Sequence, residues 1–407
     1  MKQRDANTEM IYLDNAATTP VDPAVIEVIA ESMRQDFANS GAVYRIGLDA
    51  RKCIERAAEK IADALGVPST HRLVFTSGGS ESNNLFIKGI CFPDKKAAYL
   101  GLEHPSVVDT LKYLAEFGNE PFNLLEYQKE GRLDLQSAIP VLKKNRVRLL
   151  CLSHVNNELG TVNDPESVVA AIKSDSPQTR IFLDGVQAVG KLALSPGTWP
   201  GLAGYSISGH KINGPKGIGL LIYDSRLALN PQIHGGRQQF GVRSGTLPAP
   251  LILGLAKAVQ LAVERVDETQ AHLRKLHSHL IEGLRELSER SPNFNLRFNS
   301  LPVDDVMRQS PSMVNFSFPP VEGEVLLHHL EEQDIYVGLG SACSAHSKEP
   351  SKILTGLGLT VEEARCSLRI SFGRQNTLQE VDRFLDAFGK AHDALYPTFS
   401  NKNAAGK

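Results

Sequence analysis

The chain has 407 residues, of which 42% are hydrophobic, so its length and composition suffice for two or three folding units with large cores. Its 44 basic and 46 acidic side chains give a formal net charge of −2, and without a basic stripe that carries aromatic residues no nucleic-acid partner is predicted. The five cysteines lie far apart and never in CxxC spacing, which excludes a disulfide framework and a cysteine-rich metal site and favours a reducing compartment.

The N-terminal segment and the hydropathy of the chain bear on its location. The first ten residues, MKQRDANTEM, lack the apolar core of a signal peptide. Nowhere does the sequence contain the roughly 18 uninterrupted apolar residues that a membrane span needs. We therefore expect a cytoplasmic protein with no membrane partner.

In the first half of the chain, short β-rich segments alternate with helical patterns. Several of these segments are apolar throughout, which is typical of strands covered by helices on both faces. The strand candidates are 72–75, 98–102, 122–127, 148–155, 180–184, 205–208 and 217–223, and the helix candidates are 48–66, 81–90, 106–117, 134–144 and 165–174. The alternation predicts an α/β domain with a mostly parallel seven-stranded sheet.

The second half follows a different pattern. Apolar residues recur at helical spacing from Leu251 to Leu287, a length that can connect one folding unit to the next. Strand candidates then alternate with shorter helices in a pattern that predicts a smaller α+β unit: 313–318, 323–333, 334–339, 367–372 and 377–390. We predict a large α/β domain over 15–260, a small α+β domain formed by 1–14 plus 261–395, and a disordered tail over 396–407.

The segment SISGHKINGPKG places Lys211 in a loop directly after an apolar strand. Ser208 and His210 can donate hydrogen bonds to an anion, and the loop lies at the carboxyl end of a strand, where α/β proteins form ligand sites. A lysine beside a phosphate-binding loop suggests a Schiff base with pyridoxal phosphate. The alternative for a single lysine is a surface side chain in a turn.

Three other strand ends carry residues that suit the same cofactor. The segment 75–85, FTSGGSESNNL, runs into a helix start, whose backbone N–H groups favour a phosphate. Asp184 ends an apolar strand, where a carboxylate can pair with a protonated pyridine nitrogen. His104 lies at a third strand end, where an imidazole can stack on a ring and move protons. The structural alternative is a helix cap for the segment 75–85 and for Asp184, and an ordinary structural histidine for His104.

Cys343 lies among Gly, Ser and Ala in GLGSACSAHSKEP, the segment 338–350, with no large apolar neighbour in sequence to shield it. The thiolate is the reactive form and burial disfavours it, so Cys343 is a candidate nucleophile on a mobile segment. The alternative is an incidental free thiol. The other cysteines are interpreted as small buried hydrophobes: Cys53, Cys91, Cys151 and Cys366.

Taken together, eight motifs resemble those of the cysteine desulfurases, in the branch with the longer active-cysteine loop among the class V aminotransferase-like, fold-type I pyridoxal-phosphate enzymes. The motifs run in order from about residue 10 to about residue 395: YLDNAATTPVDP, FTSGGSESNN, HVNNELG, FLDGVQAVGK, SGHKINGPKG, HGGRQQFGVRSGTLP, GSACSAHSKEPS and SLRISFGR. The resemblance implies conversion of L-cysteine to L-alanine, with the sulfur held as a persulfide for an acceptor in iron–sulfur cluster, thio-cofactor or tRNA biosynthesis. It also implies a homodimer whose active sites share residues across the interface.

The resemblance also implies a role for each matching residue. Lys211 matches the lysine that binds the cofactor covalently, His104 the histidine stacked on its ring, and Cys343 the cysteine that takes the sulfur. The matching cofactor-binding residues are Gly79, Ser80, Asn157, Asp184, Gln187, Ser208, His210, Lys211 and Thr246, of which Thr246 is expected from the neighbouring subunit. Arg369 matches the arginine that holds the substrate carboxylate, with Asn39 and Asn157 also placed near the substrate.

One segment departs from the family pattern, and two alternatives stay open. In FANSGAVYRIG, Ser40 replaces a common proline and Tyr44 a common histidine near the expected substrate entrance. A selenocysteine lyase-like enzyme would use the same lysine, aspartate and cysteine. A non-catalytic sulfur-relay subunit would keep the fold without turnover. An aminotransferase is less favoured, because it needs no nucleophilic cysteine.

Overall fold

The structure is a computed structural model that describes residues 10–90, 96–301, 308–339 and 350–405. The strands are β1 (Ile11–Leu13), β2 (His71–Thr76), β3 (Lys96–Leu100), β4 (Glu120–Leu124), β5 (Leu149–Ser153), β6 (Arg180–Asp184), β7 (Leu202–Ser208), β8 (Gly219–Asp224), β9 (Arg297–Phe298), β10 (Met313–Ser317), β11 (Ile335–Val337) and β12 (Ser367–Ser371). The α-helices are α1 (Pro23–Gln35), α2 (Arg45–Leu65), α3 (Gly79–Ile90), α4 (Pro105–Ala115), α5 (Leu135–Lys144), α6 (Pro165–Asp175), α7 (Ala249–Glu264), α8 (Val266–Arg290), α9 (Gly323–Glu331), α10 (Lys352–Gly356), α11 (Val361–Arg365) and α12 (Leu378–Ala405).

A seven-stranded sheet in the order β2-β8-β7-β6-β5-β3-β4 forms the centre of the larger core. Strand β8 runs antiparallel to both of its neighbours, while the other pairs are parallel. Every residue of β5, β7 and β8 is buried, as expected for strands covered on both faces. The predicted mostly parallel seven-stranded sheet is confirmed.

The direction of the strands explains why distant polar residues meet. Strands β2, β3, β5, β6 and β7 all end at the same edge of the sheet, because parallel strands share the position of their carboxyl ends. The segments that leave this edge start short helices or turns. Asp184 and Ser208 are the last residues of β6 and β7, and His104 caps α4 just after β3.

A second core lies around a three-stranded antiparallel sheet in the order β12-β10-β9, with β1 paired in parallel to β11 nearby. Aromatic rings fill it: Phe316 and Phe388 lie 5.6 Å apart, and Phe318 and Phe388 lie 5.2 Å apart. The apolar face of α8 packs onto the same cluster. The domain boundaries given above stay a prediction.

The long helical pattern from Leu251 to Leu287 is two helices rather than one. The break falls at Arg265, whose backbone (φ −108°, ψ 12°) is not helical. The physical reason is that the two halves pack on different partners: α7 contacts α1 and α2, whereas α8 contacts α12. Because the helical spacing of apolar residues continues through Arg265, the sequence pattern does not reveal this change of packing partner.

The predicted disordered tail over 396–407 is wrong for residues 396–405, because α12 continues to Ala405. Tyr396 and Phe399 pack against the aromatic core, and the rings of His392 and Tyr396 lie 5.9 Å apart, so the helix gains apolar contacts beyond residue 390. Among the helices of the described ranges, none combines the length and the apolar character needed to span a membrane.

Candidate active site

A cavity of about 330 Å³ opens at the carboxyl edge of the seven-stranded sheet. Its wall contains these predicted site residues: Gly79, Ser80, His104, Asn157, Asp184, Gln187, Ser208, His210, Lys211 and Arg369. They come from both halves of the chain, since Arg369 lies on β12 and the others lie at the edge of the large sheet. The structure therefore brings most of the predicted constellation to one place.

The amine of Lys211 is held by the segment that follows β1. Its Nζ atom donates to the carbonyl oxygens of Ala16, at 2.5 Å, and Ala17, at 2.6 Å. The Nε2 atom of Gln187 donates to the same Ala16 oxygen at 2.8 Å. The backbone N–H of Ala16 in turn donates to the hydroxyl of Ser371, which ends β12. Sequence reasoning missed the part played by Ala16 and Ala17, and only the family motif YLDNAATTP points to them.

Asp184 is 8% exposed, and both of its carboxylate oxygens accept hydrogen bonds. Oδ1 accepts the backbone N–H of Val186 at 3.0 Å, and Oδ2 accepts an N–H of Asn83 at 2.7 Å. The first bond closes a local turn, and the next helical element of the described range 96–301 begins only at Pro196, so the helix-cap alternative for Asp184 is wrong. The second bond, together with the place of Asp184 in the cavity wall, leaves the carboxylate available to a basic ring nitrogen.

Asn83 and Ser106 connect Asp184 to His104. The two N–H bonds of Asn83 Nδ2 go to Asp184 and to Ser106 Oγ, the latter at 2.8 Å. The Ser106 hydroxyl lies 2.7 Å from His104 Nδ1, and the Ser106 backbone N–H also donates to that nitrogen at 3.1 Å. Since Nδ1 accepts from both donors, the proton of a neutral imidazole lies on Nε2. These linking residues were not predicted, although a serine two positions after a helix cap is a weak local signal.

One part of the cavity wall fits a phosphate. Gly79 begins α3, and a Cβ atom built on it would lie 2.6 Å from Val186 Cγ2, so any larger residue there would displace the Val186 side chain. The buried Ser208 hydroxyl has no hydrogen-bond partner among the described residues. Burial, and next the charge of Lys211, lower the pKa of His210 to about 4, so its ring is a neutral donor. A helix N-terminus with an unsatisfied hydroxyl beside it suits an anion.

Arg369 is 2% exposed and also lines the cavity. Its Nη2 atom pairs with Asp14 Oδ1 at 2.7 Å, and Nη1 donates to the carbonyl of Asn157 at 2.8 Å. The Nε atom is buried without an acceptor in the described ranges. A guanidinium that is held by two partners and keeps an unsatisfied N–H is suited to bind a carboxylate.

Gly338 pairs with Arg369 through two backbone hydrogen bonds, of 3.0 Å and 2.8 Å. A Cβ atom at Gly338 would lie 2.6 Å from Asp14 Oδ1 and 2.9 Å from Arg369 Nη2. The glycine is thus required for close approach to the arginine, whereas the sequence interpretation treated it as part of a mobile segment. Cys343 itself lies outside the described residues, so its role stays a prediction.

Two other predicted residues lie away from the cavity wall. Asn39 is exposed, and its side chain accepts the backbone N–H of Gly41 at 2.8 Å, which stabilises its own turn. Thr246 is exposed, three residues after Arg243, which pairs with Glu81 at 2.9 Å. A contribution of Thr246 to a neighbouring subunit remains a prediction, as does the contact of Asn39 with substrate.

Glu103 is a buried carboxyl group directly beside His104. Burial raises its pKa to about 8, with Asp184 adding to the rise, while the hydrogen bond from the Ser153 hydroxyl opposes it. Glu103 is therefore protonated at neutral pH. Ser153 lines the cavity, so the neutral Glu103 carboxyl group stabilises a residue of the cavity wall through this hydrogen bond.

The raised pKa of Glu103 predicts a pH-dependent stability. The group is protonated in both the folded and unfolded states below pH 4.5, and between pH 4.5 and 8 only the unfolded state ionises, so stability falls as pH rises through this window. In the parent, we expect this group to lower the free energy of unfolding by on the order of 3 kcal/mol between pH 5 and 8, as measured by chemical denaturation. In Glu103→Gln this contribution to the pH dependence should be absent. The exposed Glu116→Gln should keep the parent's profile, and an unchanged profile in Glu103→Gln would contradict the assignment.

The chain as a whole is similar to known proteins. A family model described as aminotransferase class-V matches residues 11–384. The protein named cysteine desulfurase IscS from Methanosarcina thermophila is 36% identical over 380 residues, which cover 92% of this chain and 90% of that relative. A solved NifS-like protein has a TM-score of 0.84 at 30% identity and covers 95% of this chain and 100% of its own. A structure described as SspA in complex with cysteine has a TM-score of 0.72 at 32% identity, and the match covers 89% of this chain and 98% of that one.

Proposed function

The chain belongs to the aminotransferase class-V family, and we propose that it is a cysteine desulfurase, which converts L-cysteine to L-alanine and takes up the sulfur on Cys343. The family resemblance and the fold-type I class drawn from the sequence are thereby confirmed. The observation that carries the proposal is the cavity that brings together Lys211, Asp184, His104 and Arg369.

Membership of the family implies pyridoxal phosphate, and the residues present fit it. Ser208 and the start of α3 at Gly79 would hold the phosphate, because the buried Ser208 hydroxyl has no hydrogen-bond partner among the described residues and the first N–H groups of an α-helix have no partner within the helix. Asp184 would pair with the ring nitrogen, and Lys211 would carry the covalent link. When bound, the ring supplies an electron sink for the carbon next to the substrate amine.

The remaining residues bind the substrate and move its proton. The Arg369 guanidinium, held in place by Asp14 and Asn157, binds the carboxylate of cysteine. The amine of Lys211 removes the Cα proton, and the carbonyls of Ala16 and Ala17 keep that amine at the cavity wall. His104 stacks beside the reacting group, with its proton on Nε2 available for transfer.

Sulfur transfer falls to Cys343. Its thiolate attacks the substrate sulfur, so an S–S bond forms while the C–S bond breaks; the electron pair goes to the carbon, which is protonated to give alanine. Two observations support this assignment: Gly338 is paired to Arg369, and Ser351 donates to the buried carboxyl of Glu158 at 2.5 Å, next to Asn157 in the cavity wall. Cys343 is five residues from Gly338, a chain length of at most about 18 Å.

The proposal extends to partners and location. We propose that the persulfide sulfur passes to an acceptor protein in iron–sulfur cluster, thio-cofactor or tRNA biosynthesis, and that the protein acts as a cytoplasmic homodimer. The position of Thr246 outside the cavity of its own chain supports a shared site. Large apolar side chains that are exposed in the single chain, among them Val43 and Phe240, support a covered surface.

The test is the reaction itself. Purified protein loaded with pyridoxal phosphate is incubated with cysteine, alanine is quantified, and mass spectrometry locates the added sulfur. We expect alanine and the mass of one extra sulfur atom on Cys343. Selenocysteine is the comparison substrate, and a strong preference for it would favour the lyase-like alternative. A protein that binds no cofactor and forms no alanine would contradict the proposal.

A further inference from the structure

Lys191 is a buried lysine behind the cavity wall, and the proposed reaction gives it no role. It is 7% exposed, and its Nζ atom donates to Gln187 Oε1 at 2.6 Å. Burial, and then the positive charges of Lys211 and Arg369, lower its pKa to about 7. Burying an amine beside two cations is costly, so its presence calls for a physical reason.

The contacts of Gln187 supply that reason. An amide has one accepting end and one donating end, and here Oε1 accepts from Lys191 while Nε2 donates to the Ala16 carbonyl at 2.8 Å. Lys211 Nζ donates to that same carbonyl at 2.5 Å. A rotated amide would place Oε1 against the Ala16 oxygen and Nε2 against the amine of Lys191, so that both contacts would be lost.

We propose that Lys191 is a positioning residue that fixes the orientation of the Gln187 amide and, through the Ala16 carbonyl, the amine of Lys211. In its charged form the amine is suited to this task because it has three donors and no acceptor. The donating end of Gln187 then faces the part of the cavity wall where Lys211 lies, and it is available to an oxygen of the cofactor ring. The inference rests on the proposed function for the identity of the cofactor.

A double-mutant cycle tests the inference, with pyridoxal phosphate as the probe and its dissociation constant for the full-length, cofactor-free protein as the readout. Lys191→Met and Gln187→Leu should each weaken binding about tenfold, the loss expected for one hydrogen bond. Because Lys191 acts through Gln187, the double variant should bind no more weakly than Gln187→Leu alone. Losses that multiply in the double variant would overturn the inference.

Two further variants separate positioning from folding. Lys191→Arg keeps a group that only donates, so we expect binding within about twofold of the parent, and a tenfold loss would overturn the inference even if Lys191→Met does not fold. Lys173→Met is the matched control, because this exposed lysine donates to the Pro200 carbonyl at 3.0 Å, away from the cavity wall. A parent protein that takes up no pyridoxal phosphate would refute the proposed function; a parent that binds it while the losses multiply refutes only the role of Lys191.

Discussion

Lys211→Ala is expected to reduce alanine formation from cysteine at least about 10³-fold, since the variant loses both the covalent link to the cofactor and the base that removes the Cα proton. The neighbouring His210 is a poor substitute as a base, because burial and the charge of Lys211 lower its pKa to about 4. The measurement is the initial rate of alanine formation at saturating pyridoxal phosphate, with thermal unfolding as the check on folding.

The control for Lys211→Ala is Lys112→Ala, on the exposed side of α4. Its rate should equal that of the parent within about twofold, as expected for a surface substitution away from the site. A Lys211→Ala variant that keeps more than a tenth of the parent rate would show that another group removes the proton. The assignment of the whole cavity would then have to be revised, because its other residues are arranged around that amine.

Cys343→Ser is expected to keep the bound cofactor and its absorbance while losing sulfur transfer. A serine hydroxyl is hardly ionised near neutral pH and cannot form a persulfide, whereas a thiol becomes a strong nucleophile on deprotonation. We expect alanine formation to fall at least about 10²-fold and the added sulfur to disappear from the mass spectrum. The two readouts together separate loss of the nucleophile from loss of the cofactor.

Cys53→Ser is the matched control, because Cys53 lies on α2 and is partly buried. Burial is the main cause that raises the pKa of the Cys53 thiol, so this thiol is a poor nucleophile. We therefore expect Cys53→Ser to keep the parent rate. If Cys343→Ser still carried an extra sulfur after exposure to cysteine, another thiol would be the acceptor. Mapping of that sulfur by peptide mass would then identify the residue.

The family and most of the site could be predicted because their signals are local. An apolar strand that ends in a polar residue is visible in a few neighbouring letters, as at Asp184 and at the SGHK segment before Lys211. Once the strands are parallel, their ends must share one edge, so residues far apart in sequence are predicted to meet. Arg369 was reached differently, through the SLRIS motif alone, since nothing local indicates that β12 faces the cavity.

The support around the site could not be predicted in the same way. Asn83 donates hydrogen bonds to Ser106 and Asp184, which are 23 and 101 residues away in sequence. Lys211 donates to the carbonyl of Ala16, which is 195 residues away. Such contacts depend on how the packed layers meet rather than on any periodicity. The break at Arg265 has the same origin, because a change of packing partner leaves the helical pattern unaltered. The extension of α12 likewise depends on contacts that Tyr396 and Phe399 make with the aromatic core.

The amino-acid sequence thus determined most of the strands and helices, the mostly parallel sheet and the chemical identity of the groups at its edge, because apolar periodicity and strand-end residues are properties of short segments. Only the tertiary structure decided which way the Gln187 amide points, which atom of His104 accepts, and that a buried lysine stands behind the wall. Those outcomes depend on hydrogen-bond partners that folding brings together, because these donors and acceptors are close in space but distant in sequence.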